Sequence, residues 1–343
     1  MKFNKSILSL ALVFSINVFA ADKPEVMILG TGGTIAGAAQ KATDVTGYTA
    51  GEIAVSTLIE AVPEIANVAD VKGIQVANTS SSNISSDILL ELANTARKAL
   101  NGDTKGIVVT HGTDTTEETA FFLDLVNQTE KPIVVVGAMR PATAISADGP
   151  MNLLNAVTLA ASDEARGRGT MIMLNDFIGA AYYTSKTNST SLDTFKAYDQ
   201  GFLGTFAGGV PKFYYGPSQA TGKPSFNISK IEALPRVDII YSYLDMQPDQ
   251  LNALVDAGAK GIVVAGSGNG STPKAVRDRI AELQKSGFPV VLASRTGAGY
   301  VTAKEHGIGS GMLNPQKARI MLMLGLTKTQ DLAELADLFG TRA

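Results

Sequence analysis

Along most of this chain, short runs of consecutive apolar, β-branched residues alternate with stretches whose apolar residues recur at helical spacing. A strand that is apolar at every position offers no face to water, so it must be covered on both sides. Parallel sheets flanked by helices are where such strands occur. The runs Val26–Leu29, Ile74–Asn78, Ile107–Thr110, Ile133–Val136 and Met171–Leu174 read as strands of this kind, followed by Val237–Tyr241, Ile262–Ala265 and Val290–Ala293. Helical patterns cover Asp87–Leu100, closed by Gly102, and Glu117–Val126. They resume over Asn152–Ala161, Pro273–Gln284, closed by Gly287, and Pro315–Leu324, after which a short terminal helix follows. The expected fold class is α/β, with mainly parallel sheets flanked by helices.

The rhythm breaks between residues 214 and 235, where Gly216, Pro217, Gly222 and Pro224 stand among small polar residues. That composition reads as a linker. It divides the chain into a larger N-terminal domain, residues 22–213, and a smaller C-terminal domain, residues 236–343.

Residues 1–20 read as a signal peptide. Lys2 and Lys5 precede an apolar run from Ile7 to Phe19, and Val18-Phe19-Ala20 supplies small residues for cleavage after Ala20 or Ala21. The run is short for a membrane span, and without cysteine there is no lipid attachment point, so export to the periplasm with no membrane anchor is expected. Cleavage takes the net charge from −3 to −5, because Lys2 and Lys5 leave with the signal. No basic stripe is present, which argues against nucleic acid as a partner. The absence of cysteine removes disulfides and thiolate chemistry, and the two histidines, His111 and His306, cannot make a zinc site of several imidazoles. No metal or other cofactor is expected.

In open parallel sheets, ligands bind beyond the C-terminal ends of strands. Those positions here hold Gly30-Thr31-Gly32-Gly33-Thr34, Thr79-Ser80-Ser81-Ser82, His111-Gly112-Thr113-Asp114-Thr115-Thr116 and Gly266-Ser267-Gly268-Asn269-Gly270. Four loops of hydroxyls, a carboxylate and an amide point to a small polar substrate. The first loop lacks the third glycine of a dinucleotide fingerprint, Ile35 standing in its place, and no Gly-Lys-Ser/Thr of a phosphate loop follows. Thr115 or Thr116 reads as a helix N-cap, with Glu117 and Glu118 at the positive helix end. His111 reads as a hydrogen-bonded structural residue beside a buried strand. For Ser80 to Ser82, ordinary loop and binding roles are equally open.

Thr34, Thr113, Asp114 and Lys186 carry the best case for chemistry. A threonine hydroxyl needs a nearby base to become a nucleophile. In a chain with no cysteine and two histidines, tyrosine, lysine and carboxylates are the candidates.

Over nearly all the mature chain the sequence resembles the bacterial type II asparaginases, including the glutaminase-asparaginases. The resemblance rests on Thr31-Gly32-Gly33-Thr34-Ile35-Ala36-Gly37, Thr110-His111-Gly112-Thr113-Asp114-Thr115 and Gly137-Ala138-Met139-Arg140-Pro141. It extends to Ser146-Ala147-Asp148-Gly149, Lys186-Thr187-Asn188, Gly268-Asn269-Gly270 and Leu313-Asn314-Pro315-Gln316-Lys317-Ala318-Arg319. It implies hydrolysis of the side-chain amide of L-asparagine through an acyl-enzyme on Thr34, with Tyr48 helping to activate that threonine. Residues Gly37 to Ala42 would form a lid over the substrate. Thr113, Lys186 and Asp114 would make a second catalytic group, with the Thr113 N–H at the oxyanion. Asp114 would also hold the substrate ammonium, Ser81 its α-carboxylate, and Asn269 would reach a neighbouring subunit's site in a homotetramer.

Three positions depart from the family pattern. Ser82 stands where a glutamine or glutamate would make a second ammonium contact. Ala181-Tyr182-Tyr183 replaces a segment that carries arginine in many members. The stretch between Arg295 and Leu313 is short, which leaves Glu305 as the candidate acidic partner of Tyr48. The alternatives are a glutaminase-asparaginase acting comparably on both amides, and an amino-acid-binding protein on an inactive scaffold of the same kind. The sequence leaves open whether Lys186 acts as a base or through its charge.

Overall fold

The computed structural model describes residues 23–341. The expected signal peptide, residues 1–20, lies outside the described residues. The N-terminal domain is built on an eight-stranded sheet. Its strands are β1 (Glu25–Gly32), β2 (Asp70–Thr79), β3 (Gly106–Thr110), β4 (Ile133–Val136), β5 (Thr170–Leu174) and β6 (Phe177–Ala180). Two-residue strands β7 (Ser185–Lys186) and β8 (Phe195–Lys196) pair with each other outside it, before β9 (Gly204–Ala207) and β10 (Val210–Phe213) complete it. The order is β10-β9-β6-β5-β4-β3-β1-β2. Strands β2 to β5 and β1 run parallel, as expected. The other half is antiparallel, so the sheet is mixed. Asn175 and Asp176 make the two-residue turn between β5 and β6, both at positive φ, as do Gly208 and Gly209 between β9 and β10. Such turns match the twist of paired strands and so form hairpins.

The C-terminal domain carries an all-parallel sheet of β11 (Val237–Tyr241), β12 (Gly261–Gly266), β13 (Val290–Ser294) and β14 (Ile308–Gly309). Nine α-helices lie among the described residues: α1 (Val55–Glu60), α2 (Ile65–Val68), α3 (Ser86–Leu100), α4 (Thr116–Val126), α5 (Gly149–Ala161), α6 (Asp249–Asp256), α7 (Lys274–Lys285), α8 (Pro315–Gly325) and α9 (Leu332–Leu338). Local chemistry sets where they start. Ser85 accepts from the Ile88 N–H at the head of α3, and Arg97 and Lys98 sit at its negative end. Asn314 caps α8, with Pro315 in the first turn, where its missing N–H costs nothing.

One hydrophobic cluster runs through both domains. It joins Phe121 and Phe122 of α4 to Met321 and Leu322 of α8, and all four are almost completely buried. Burying a side chain of that size contributes about 2 kcal/mol, so α4 and α8 form a shared seam between the two domains. Residues 214–236 contain no helix or strand, yet they pack against this seam. Phe226 and Ile228 are buried in it, the Phe226 N–H donates to the Leu125 carbonyl, and Lys223 pairs with buried Asp124 at 3.0 Å.

Candidate active site

Strand β1 lies between β2 and β3, so three loops leave the same end of three neighbouring strands. Gly30 of β1 is in register with Thr110 of β3, and Gly32 with Thr79 of β2. The loops are then fastened together. Thr31 Oγ1 donates to the Thr110 carbonyl at 2.9 Å, and the Gly33 N–H donates to the Thr79 carbonyl at 3.0 Å. Thr115 Oγ1 donates to the Ser81 carbonyl at 2.8 Å, and Thr116 Oγ1 to that of Gly112 at 2.9 Å. Thr115 occupies the N-cap of α4, as expected, but its side chain makes no capping bond. The Thr115 hydroxyl instead ties the loop after β3 to the loop after β2, while that of Thr116 closes back on its own loop.

Thr34 sits in a single 3₁₀ turn, Thr34–Ala36, directly after Gly33 at φ 81°. Its hydroxyl is buried and lies 2.6 Å from Tyr48 Oη. Tyr48 reaches it because the segment from Gly37 to Thr49 folds back on itself. Ala38 and Thr49 exchange backbone hydrogen bonds of 3.1 Å, and a side chain at Gly37 would collide with the Tyr48 ring. The segment is also tied to residues 142–145. The Ala142 and Ile145 N–H groups donate to the Gly37 and Ala42 carbonyls, and the Ala39 N–H donates to Thr143 Oγ1.

The second cluster forms where β7 meets the loop after β3. Lys186, held by antiparallel pairing with Phe195, donates from Nζ to Thr113 Oγ1 at 3.0 Å and to Asp114 Oδ1 at 2.6 Å. Thr113 is buried and Lys186 largely so, whereas the Asp114 side chain is 69% exposed. Asp114 is thus fixed through one oxygen while its other oxygen bonds no described residue. Such a carboxylate suits a cationic ligand. Ser81 is buried against Gly112, its neighbour across the loops. Ser82 is exposed, and its hydroxyl lies 3.0 Å from that of Ser80.

The structure therefore joins Thr34 with Tyr48, joins Thr113 with Asp114 and Lys186, and places Ser81 and Ser82 in the adjoining loop. Asn269 stands apart from these groups. Its amide donates to Thr302 Oγ1 and its carbonyl accepts the Thr302 N–H, both at 3.0 Å, on the exposed surface of the C-terminal domain. The fourth loop expected at the site is thus bonded within its own domain, because β12 belongs to a separate sheet. Glu305 is exposed in the turn between Lys304 and Gly307, beside residues of α7 and α9. His111 is fully buried. Its Nδ1 donates to the Gly112 carbonyl and its Nε2 accepts from Thr119 Oγ1, and burial pushes its pKa down to about 4. A neutral ring holding a loop to a helix is a structural residue, as expected.

From the sequence, Asn314 and Ser185 carry no role of their own, and Glu117 is only an acidic residue at the positive end of a helix. Asn314 Nδ2 donates to Glu117 Oε2 at 2.8 Å and to Ser185 Oγ at 3.1 Å, beside Lys186. The available signals were the asparagine before a proline at a helix start and its place in the matched segment Leu313–Arg319.

Two family profiles cover the chain: "Asparaginase, N-terminal" matches residues 25–219, and "Glutaminase/Asparaginase C-terminal domain" matches residues 236–339. The chain is 49% identical to "L-asparaginase 2" of Bacillus subtilis, over 93% of this chain and 87% of that protein. It is 44% identical to "Probable L-asparaginase periplasmic" of Haemophilus influenzae, over 96% of this chain and 97% of that protein. A crystal structure described as a probable cytoplasmic L-asparaginase from Campylobacter jejuni superposes with a TM-score of 0.90 at 47% identity, covering 93% of this chain and all of that one. With both profiles matched in order and relatives aligned over nearly their whole length, the chain belongs to the asparaginase family.

Proposed function

We propose that this chain is an exported L-asparaginase that hydrolyses the side-chain amide of L-asparagine through Thr34. The observation that carries the reading is the 2.6 Å contact between Thr34 Oγ1 and Tyr48 Oη. A hydroxyl becomes a nucleophile only where its proton has somewhere to go, and Tyr48 Oη is the side-chain group in hydrogen-bond contact with it that can pass the proton on. Thr34 Oγ1 attacks the amide carbon, the C–N bond breaks, and the nitrogen leaves as ammonia after taking up the proton that left the Thr34 hydroxyl. Water then cleaves the Thr34 ester and releases aspartate.

The second cluster supplies binding and electrostatics. The exposed oxygen of Asp114 receives the substrate ammonium, and Ser81 and Ser82 border the α-carboxylate and ammonium. The Thr113 N–H stabilises the oxyanion, while Lys186 holds Thr113 and Asp114 in place through its charge. The surface position of Asn269 leaves it open to a neighbouring subunit, in keeping with a homotetramer. The domain division falls in residues 214–235, and the signal peptide directs the chain to the periplasm. A relative named as a probable periplasmic L-asparaginase supports that location, whereas the superposed structure is described as a probable cytoplasmic one.

Ammonia release from asparagine and from glutamine, measured as kcat/KM on the purified mature chain, tests the activity. Preference for asparagine supports the reading. Comparable values would make the chain a glutaminase-asparaginase, and binding without turnover would make it a binding protein. Light scattering at assay concentration tests the tetramer, since a fully active monomer excludes a role for Asn269 in a neighbour's site.

A further inference from the structure

Lys186 has to hold its Nζ on two targets at once, yet its strand, β7, is only two residues long. Strand β8 fixes one side of it. The other side is fixed from the C-terminal domain. Lys317, in the first turn of α8, is almost completely buried, and its Nζ donates to the Tyr182 carbonyl at 3.1 Å and the Thr184 carbonyl at 2.7 Å. Asn314 donates to Ser185 Oγ, so three anchor points, on Tyr182, Thr184 and Ser185, precede Lys186. The arrangement is backed by Glu117 of α4, which is buried and accepts from Asn314 Nδ2. A buried ammonium is costly unless it is paired and hydrogen-bonded. Burial lowers Lys317 to about 8, while the charges of Glu117 and Asp124 oppose that shift. An apolar residue would fill such a position at less cost, so the retained charge calls for a role that the carbonyls of residues 182 and 184 supply.

We propose that Asn314 and Lys317 are positioning residues that hold the Tyr182–Ser185 backbone so that Lys186 reaches both Thr113 and Asp114. The inference rests on the reading of Lys186 as part of the catalytic machinery. It makes α8 the strut through which the C-terminal domain supports a site built on the N-terminal one.

The obvious objection is that Asn314 merely caps α8, since its Oδ1 accepts the Lys317 N–H at 2.9 Å. Asn314→Ser separates the two roles, because serine caps equally well but its hydroxyl is too short to reach Ser185 and Glu117. Steady-state kinetics on asparagine and thermal melts would be recorded for Asn314→Ser, Lys317→Met, Lys186→Met and the Asn314→Ser/Lys186→Met pair. Displacement of a reacting group by about 1 Å costs on the order of 100-fold. Asn314→Ser is therefore expected to lose roughly 10- to 100-fold in kcat, with a smaller change in KM and a melting point close to the parent. Lys317→Met should lose kcat in the same direction and melt lower. In the pair, slow ammonia release followed over hours should match that of Lys186→Met alone, since residues acting through one group do not add. Parental kcat in Asn314→Ser, or a further loss in the pair, would overturn the inference. Parental kcat in Lys186→Met would instead overturn the role given to Lys186 itself.

Discussion

Gly33 and Gly112 meet backbone to backbone: a Cβ on Gly33 would stand 2.2 Å from both the N and the Cα of Gly112. This contact sets the spacing of the two threonine loops, since Thr34 and Thr113 are the next residue in each. Gly33 is also at φ 81°, where a side chain is strained. Gly33→Ala is expected to abolish turnover and lower stability by several kcal/mol, read by thermal melting and ammonia release. A variant with parental melting point and kcat would show that the loops can separate without consequence.

The buried pair Asp124–Lys223 ties the connecting segment to α4, and Asp124 also accepts the Thr170 N–H at 2.7 Å. Removing one partner leaves a buried charge without its counter-ion, which costs about 3–5 kcal/mol. Lys223→Met should show that loss in urea unfolding. Asp124→Asn in the same chain should cost less than the sum of the two single changes. Additive losses would mean that the residues act independently.

Acidification should leave the His111 ring neutral until about pH 4. The sign follows from burial. The folded pKa lies below the unfolded value, so between about pH 4 and 6.5 the unfolded chain binds the extra proton and stability rises with pH, by a total on the order of 3 kcal/mol. Glu118 works the other way. Burial outweighs Arg319 and raises its pKa to about 7, so its contribution declines as pH rises from about 4.5 to 7. With two histidines in the chain, ring NMR titration assigns His111 directly, and a midpoint near 6.5 would contradict the buried neutral ring.

Ser82 offers a short hydroxyl where a longer side chain would reach the substrate ammonium. A bridging water can replace that contact but costs up to about 2 kcal/mol to order. Ser82→Glu is expected to lower KM for asparagine with a smaller change in kcat. An unchanged or higher KM would mean that another group already fills the role.

The parallel half of the fold was legible because buried parallel strands leave an unbroken apolar signature, as in Ile133–Val136. The antiparallel half was not, since Phe177–Ala180 and Gly204–Ala207 are four-residue segments, each containing a glycine and too short to show a period. Yet Asn175-Asp176 and Gly208-Gly209, each between short candidate strands, were the available hairpin signals. At the site, Thr34 and Thr113 could be found because glycine-rich strand ends announce loops. The support from Asn314 and Lys317 could not, because their partners Ser185, Tyr182 and Thr184 lie about 130 residues away in sequence. Such contacts follow from the packing of α8 against α4, which local pattern does not encode.

Whether Thr34 is the nucleophile is decided by asparagine turnover of Thr34→Ala beside the parent, with aspartate binding followed by calorimetry. In Thr34→Ala, kcat is expected to fall by about 10³ or more while folding and aspartate binding persist, since a lone loop hydroxyl contributes little to the core. Near-parental turnover by Thr34→Ala, with activity lost instead in Thr113→Ala, would move the nucleophile to the second threonine and leave Thr34 without a catalytic role.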